Sequence, residues 1–129
     1  MLPSTFIKLN IEDETIKNNM YRKVILTVPS KIQLVLMSIE PYEYVPRERH
    51  AREAQFIRVE AGRGSLILSD RDGDTIKRYN LSDGAATVVP PGLWHEIRNT
   101  GNTALKLYAI YAPPEHPAGT AHRRQADSY

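Results

Sequence analysis

Eight short apolar segments recur along the chain, each closed by a turn signal, and this cadence limits the fold more than any other feature. They span residues 23–28, 31–39, 55–60, 65–68, 76–79, 86–89, 95–99 and 105–111 and are rich in Val, Ile, Leu and aromatic residues. Each has the length of a strand and is too short for a packed helix. Between them stand Pro29-Ser30, Pro41, Pro46, Ala61-Gly62, Asp72-Gly73, Asp83-Gly84, Pro90-Pro91-Gly92 and residues 99–102. Short strands with turns at such spacing predict an all-β sandwich or barrel. Asp72-Gly73 predicts a hairpin turn between 66–68 and 76–79.

A single segment reads as helical. Asn10 can cap residues 11–17, with Asp13 three positions on, in the manner of a capping box. The tail after residue 112 carries Pro113, Pro114, Pro117 and Gly119 and is expected to be irregular, wrapping the body or fraying. A length of 129 residues suits one domain, with residues 1–22 as an N-terminal arm and 113–129 as the tail. Hydrophobic residues at 41% and charged residues at 25% give the balance of an ordinary soluble domain.

The net charge of +2 argues against nucleic acid or an anionic membrane as the main partner. The chain has no cysteine, which excludes disulfides, thiol nucleophiles and zinc–thiolate sites. Residues 32–39, the longest largely apolar stretch, are broken by Gln33 and Ser38 and fall short of a membrane span. The first residues lack the apolar run of a signal peptide, so a cytoplasmic location is expected.

Side chains along a strand alternate between faces, so parity sorts the polar residues. Glu48 and His50 share a face. Gln55 shares one with Ile57 and Val59, while Arg58 and Glu60 point away. His95, Ile97 and Asn99 share a face opposite Glu96 and Arg98. A closed barrel would bring these polar groups together. Imidazole nitrogen with carboxylate or amide oxygen suits Zn, Mn, Fe, Ni or Cu. Spacing alone also allows histidines that are merely satisfied in the core.

Glu48-x-His50-x4-Gln55-x6-Gly62, followed by Gly84-x5-Pro90-x-Gly92-x2-His95-x3-Asn99, resembles the two motifs of the cupin superfamily. The second motif matches at every defined position. The first departs from the pattern: Tyr42 replaces the opening glycine, Glu48 the first histidine, and Gln55 the glutamate. Residues 33–38, 55–60, 105–108 and 111–114 extend the likeness to small single-domain bacterial cupins labelled mannose-6-phosphate-isomerase-like, over roughly residues 6–125.

This resemblance implies a cupin double-stranded β-helix, a jelly-roll-like barrel of two antiparallel sheets. It places Glu48, His50, Gln55 and His95 on the four metal-ligand positions, for a divalent transition ion such as Zn, Mn, Fe or Ni. Glu48 supplies the charge that Gln55 lacks, although an amide is a weaker donor than a carboxylate. The implied activity is isomerisation of a small polar substrate of the sugar kind, or an anionic one of the sugar-phosphate kind. The alternatives are a non-catalytic ligand-binding or structural oligomeric cupin, and a non-heme metal oxygenase. A homodimer is expected through the edge strand 23–28.

No residue stands out as a general base, and Glu53 and Tyr111 are the nearest options. Tyr108 and Tyr111 fall on opposite faces of the last strand, so one of them can line the pocket. Trp94 should point away from His95 and pack between sheets or subunits. Asp70, Asp72 and Asp74 lack the spacing of an EF-hand and read as a solvated hairpin tip. Arg47, Arg49, Arg52, Arg58 and Arg63 read as a solvated face or as a basic rim for an anionic substrate. His116 and His122 are expected to be exposed in the tail, with His116 as a lid residue the alternative.

Overall fold

The computed structural model describes residues 7–128. Asn10 accepts a hydrogen bond from the Asp13 amide at 3.0 Å and opens α1, Ile11–Lys17, where the capping residues predict it. Glu12, Asp13 and Glu14 sit in its first turn and favour the positive end of its dipole. At the other end Lys106 Nζ donates to the carbonyls of Ile16 and Asn18 at 2.8 and 2.7 Å, satisfying acceptors the helix leaves open.

Ten strands follow: β1 Arg22–Val28, β2 Ile32–Ile39, β3 Tyr44–Glu48, β4 Ala54–Ala61, β5 Gly64–Ser69, β6 Thr75–Leu81, β7 Ala86–Val89, β8 Trp94–Asn99, β9 Leu105–Ala112 and β10 Ala121–His122. They form a six-stranded sheet in the order β10-β1-β2-β9-β4-β7 and a four-stranded sheet in the order β3-β8-β5-β6. All pairings are antiparallel. This is the expected all-β barrel of two antiparallel sheets.

The core lies where strand parity puts it. Val35, Met37 and Ile39 of β2, Ile57 and Val59 of β4, and Leu105, Leu107 and Ala109 of β9 face Val45, Leu66 and Ile97 of the other sheet. Each large side chain removed from water in this layer stabilises the fold by roughly 1.5–3 kcal/mol. Gly62 has a positive φ of +86°, and a Cβ there would meet the Ala104 carbonyl oxygen at 2.4 Å. Only glycine allows β4 to turn so close to the start of β9.

Three features depart from the reading of the sequence. The strand β3 carries Pro46 among charged residues and was not legible as a strand. It lies at the edge of its sheet, and its register with β8 shifts between Val45 and Glu48. An edge and a bulge are where a strand tolerates the missing proline N–H. The tail is not wholly irregular: β10 pairs with β1 through Arg22↔His122 and Lys23↔Ala121, and Gln125–Ser128 forms a short 3-10 helix. The edge of β1 is therefore covered at its start, where the Val24 amide also donates to the Thr120 carbonyl at 2.8 Å.

Candidate metal centre

Each motif delivers its side chains to the same end of the barrel. Antiparallel pairing of β3 with β8 sets Glu48 opposite His95. His50 lies just beyond β3, and its carbonyl accepts from the Gly92 amide at 2.8 Å. Gly92, at φ +85°, makes the turn that leads into β8, so one hydrogen bond ties the first motif to the second. Gln55 stands near the start of β4, paired with Tyr111 of β9.

Glu48, His50 and His95 each offer one ligand atom, and these atoms lie within 4.8 Å of one another. Glu48 Oε1 is 3.2 Å from His50 Nε2 and 3.5 Å from His95 Nε2. The imidazole centroids are 5.2 Å apart, and the two rings are 6% and 1% exposed. His95 Nδ1 is 2.9 Å from the Leu93 carbonyl oxygen, so it carries the proton and leaves Nε2 as a lone pair. His50 Nδ1 is 3.3 Å from Glu115 Oε1, which fixes the same tautomer.

Neither Nε2 atom has an aligned hydrogen-bond partner despite being buried. Two lone pairs and a carboxylate oxygen facing one another repel unless a cation or a proton lies among them. The donor set therefore fits a divalent ion. Gln55 adds a further unpartnered acceptor. Its Nε2 donates to the Tyr111 hydroxyl at 3.0 Å, and its buried Oε1 has no partner. The Tyr111 ring stands edge-on to His50 at 5.5 Å, which links Gln55 to the trio.

The electrostatics follow from this crowding. Burial works to raise the Glu48 carboxyl, but contact with the His50 and His95 imidazoles, and their charge when a proton sits on Nε2, hold it at about 2. Burial pulls the His50 imidazole down, yet contact with Glu48 and the charges of Glu48, Glu115 and Glu53 raise it above its ordinary value. Burial pushes the Tyr111 phenol far up, with Glu48 adding to the effect, so it keeps its proton and does not act as a base. Burial and a hydrogen bond with Glu53 raise the Glu115 carboxyl.

The tail completes the site. Gln33, fully buried on β2, accepts from the Glu115 and His116 amides at 3.2 and 2.9 Å. Its Nε2 donates to the His116 carbonyl at 2.7 Å and to Thr27 Oγ1 at 3.0 Å. Thus clamped, His116 packs edge-on to Tyr111 at 5.3 Å. It is half-buried, not exposed as its place in the tail suggests, and His122 is half-buried within β10. Glu115 had no sequence signal. Gln33 did, as a polar residue in phase with Val35, Met37 and Ile39.

The remaining polar residues fall outside the centre. Asp70 Oδ1 accepts from the Asp72 and Asp74 amides in an exposed hairpin tip. Trp94 packs under the Arg47 guanidinium, 4.1 Å from its ring centroid, instead of between the two sheets. Arg47 also bonds Ser69, and Arg58 pairs with Glu60, so neither is a free rim charge.

Residues 35–111 match the Cupin domain family. The chain belongs to the cupin superfamily. It is 42% identical over 126 residues to the uncharacterized protein YrkC of Bacillus subtilis, covering 98% of this chain and 67% of YrkC. The crystal structure of BH2720 from Bacillus halodurans superposes with a TM-score of 0.91 at 43% identity, covering 98% of this chain and 94% of that one. Bacillus subtilis oxalate decarboxylase, which has Mn(II) centres, shares the fold alone, at a TM-score of 0.60 and 21% identity over 71% of this chain and 24% of that one. Within this cupin Glu48, which departs from the family motif, offers a carboxylate oxygen within 4.8 Å of the His50 and His95 ligand nitrogens, and Gln55 meets the trio through Tyr111. Among the described residues no helix is long and apolar enough to cross a membrane.

Proposed function

We propose that this single-domain cupin holds one divalent transition ion on Glu48, His50, Gln55 and His95 and isomerises a small sugar-like or sugar-phosphate substrate. That reading places it in the mannose-6-phosphate-isomerase-like subgroup, in the cytoplasm. The carrying observation is the pair of buried Nε2 atoms that face Glu48 Oε1 without aligned hydrogen bonds. Zn, Mn, Fe or Ni suits such a set, and the amide oxygen shifts the balance toward the harder ions. Bound there, the ion supplies Lewis-acid polarisation of a substrate carbonyl or hydroxyl.

The protein's own groups prepare that chemistry. Leu93 O and Glu115 Oε1 hold the Nδ1 protons of His95 and His50, which keeps both Nε2 lone pairs turned inward. Tyr111 keeps its proton and orients the Gln55 amide. Its buried ring also excludes water from one side of the centre.

A second reading, a non-catalytic ligand-binding cupin, draws on Gln55, because an amide binds a metal less strongly than the carboxylate it replaces. Either form is proposed to be a homodimer. Leu26, Leu34, Ile110, Phe56 and Val88 form a continuous outward row across five strands of the larger sheet. Val88 is 61% exposed, and a second copy offering the same row would cover it.

The test is elemental analysis of protein purified without a chelating tag, alongside His95→Ala. The expected result is an equivalent of a transition metal in the wild type and none in a folded variant. A full equivalent retained by the variant would overturn the ligand assignment, and no uptake and no rise in Tm with Mn, Fe, Ni or Zn would remove the metal reading.

A further inference from the structure

A cavity of about 330 Å³ opens beside the metal centre, lined by Arg22, Arg47, Glu48, His116 and His122. Its size is that of a small-molecule site. Arg47 is already committed to Ser69, the Asp70 and Arg71 carbonyls and the Trp94 ring. Arg22 is not. Its side chain is 8% exposed, its Nη1 meets His122 Nδ1 at 3.3 Å, and its buried Nε has no hydrogen-bond partner.

A guanidinium carries five donors and cannot shed its charge. Buried, it needs an anion or a full set of acceptors. Among the described residues no carboxylate forms an ion pair with it. Glu48 is the acidic residue lining the cavity, and it is engaged with His50 and His95. His116 adds a second buried nitrogen without a partner, its Nε2. The cavity therefore presents a fixed positive charge and a free imidazole nitrogen, next to a carboxylate that is already occupied.

We infer that Arg22 anchors the anionic group of the small-molecule ligand, a carboxylate or phosphate, in the cavity beside Glu48, with His116 Nε2 as a further polar contact. This deepens the isomerase reading by giving its substrate a charge, but the Arg22 site stands without the metal. Arg22 lies at the start of β1, and its pairing with His122 of β10 makes the tail part of the anion site. Arg47 and Arg58, both already paired, are not the anion receptor.

The test titrates the full-length, EDTA-treated chain with malonate and, separately, with inorganic phosphate. It follows heat and the Arg22 Nε–H resonance. Saturable binding that moves this resonance is expected, and Arg22→Gln should weaken it about tenfold or more while Mn(II) uptake is unchanged. Arg22→Lys should recover part of the loss, because charge returns without the fork. Tighter malonate binding identifies a carboxylate ligand, and tighter phosphate binding a phosphate ester. The inference fails if neither anion moves the resonance at roughly tens of millimolar, or if folded Arg22→Gln binds both as the wild type does. Should Arg22→Gln not fold, the wild-type resonance and Arg22→Lys decide the matter. A chain that binds anion but no metal upholds the Arg22 site and removes the isomerase reading.

Discussion

Glu115 Oε1 stands 3.3 Å from His50 Nδ1, so a residue of the C-terminal tail sets the tautomer of a histidine in the first motif. A carboxylate behind a ligating imidazole fixes the ring and raises its basicity, and losing such a partner typically weakens metal binding about 10–100-fold. Glu115→Ala is expected to fall in that range for Mn(II), measured by competition with a chelating dye. Glu115→Gln should fall less, since its carbonyl can still accept the Nδ1 proton. Unchanged affinity in both variants would show that His50 is oriented without the tail.

Gln55→Glu should tighten metal binding. The carboxylate adds charge where Gln55 Oε1 is buried without a partner. The Tyr111 hydroxyl, which now accepts from Gln55 at 3.0 Å, keeps its proton and can donate to the new carboxylate. Calorimetry with Mn(II) and Zn(II) checks this. A weaker isotherm would mean that the amide serves the ligand and not the ion.

Gln33 replaces a core aliphatic with four hydrogen bonds, three of them to Glu115 and His116. Gln33→Leu keeps the volume and removes every bond. At about 0.5–1.5 kcal/mol for each bond, offset by easier burial of Leu, a net loss of roughly 1–3 kcal/mol is expected. Chemical denaturation gives the loss, and amide exchange at Glu115 and His116 should speed up while exchange in β9 stays slow. Unaltered exchange at those two amides would show that other contacts hold the tail.

Parity and turn chemistry made the barrel legible, because Gln55, Ile57 and Val59, or His95 and Ile97, can face inward only together. The meeting of Glu48, His50 and His95 was legible through the motifs, whose glycines specify turns at a positive φ that other residues rarely adopt. Strand β3 was hidden by Pro46, since edge pairing and a bulge leave no apolar alternation to read. Glu115, His116 and Arg22 were hidden for another reason. Their roles come from Gln33 and β10, contacts made across most of the chain's length, and no local pattern encodes such a contact.

His116 should leave a mark on stability against pH. Burial, then the charge of Arg22, lowers its imidazole from 6.5 to about 4, with Glu48 opposing and His50 and His122 adding to the shift. Tyr111 packs on its ring and stays neutral. Between those values the unfolded chain holds a proton that the folded chain rejects, so this residue's contribution is present above 6.5 and is lost as pH falls toward about 4. His50 has the opposite sign, because its raised value contributes below 6.5 and fades as pH rises through the folded value. The comparison of metal-free wild type with His116→Asn separates the two. Because His116 is only half-buried, the slope between pH 4 and 6.5 should flatten in the variant by a total on the order of 1 kcal/mol. Parallel denaturation profiles for the two proteins would place His116 in solvent and undo its role at the mouth of the barrel.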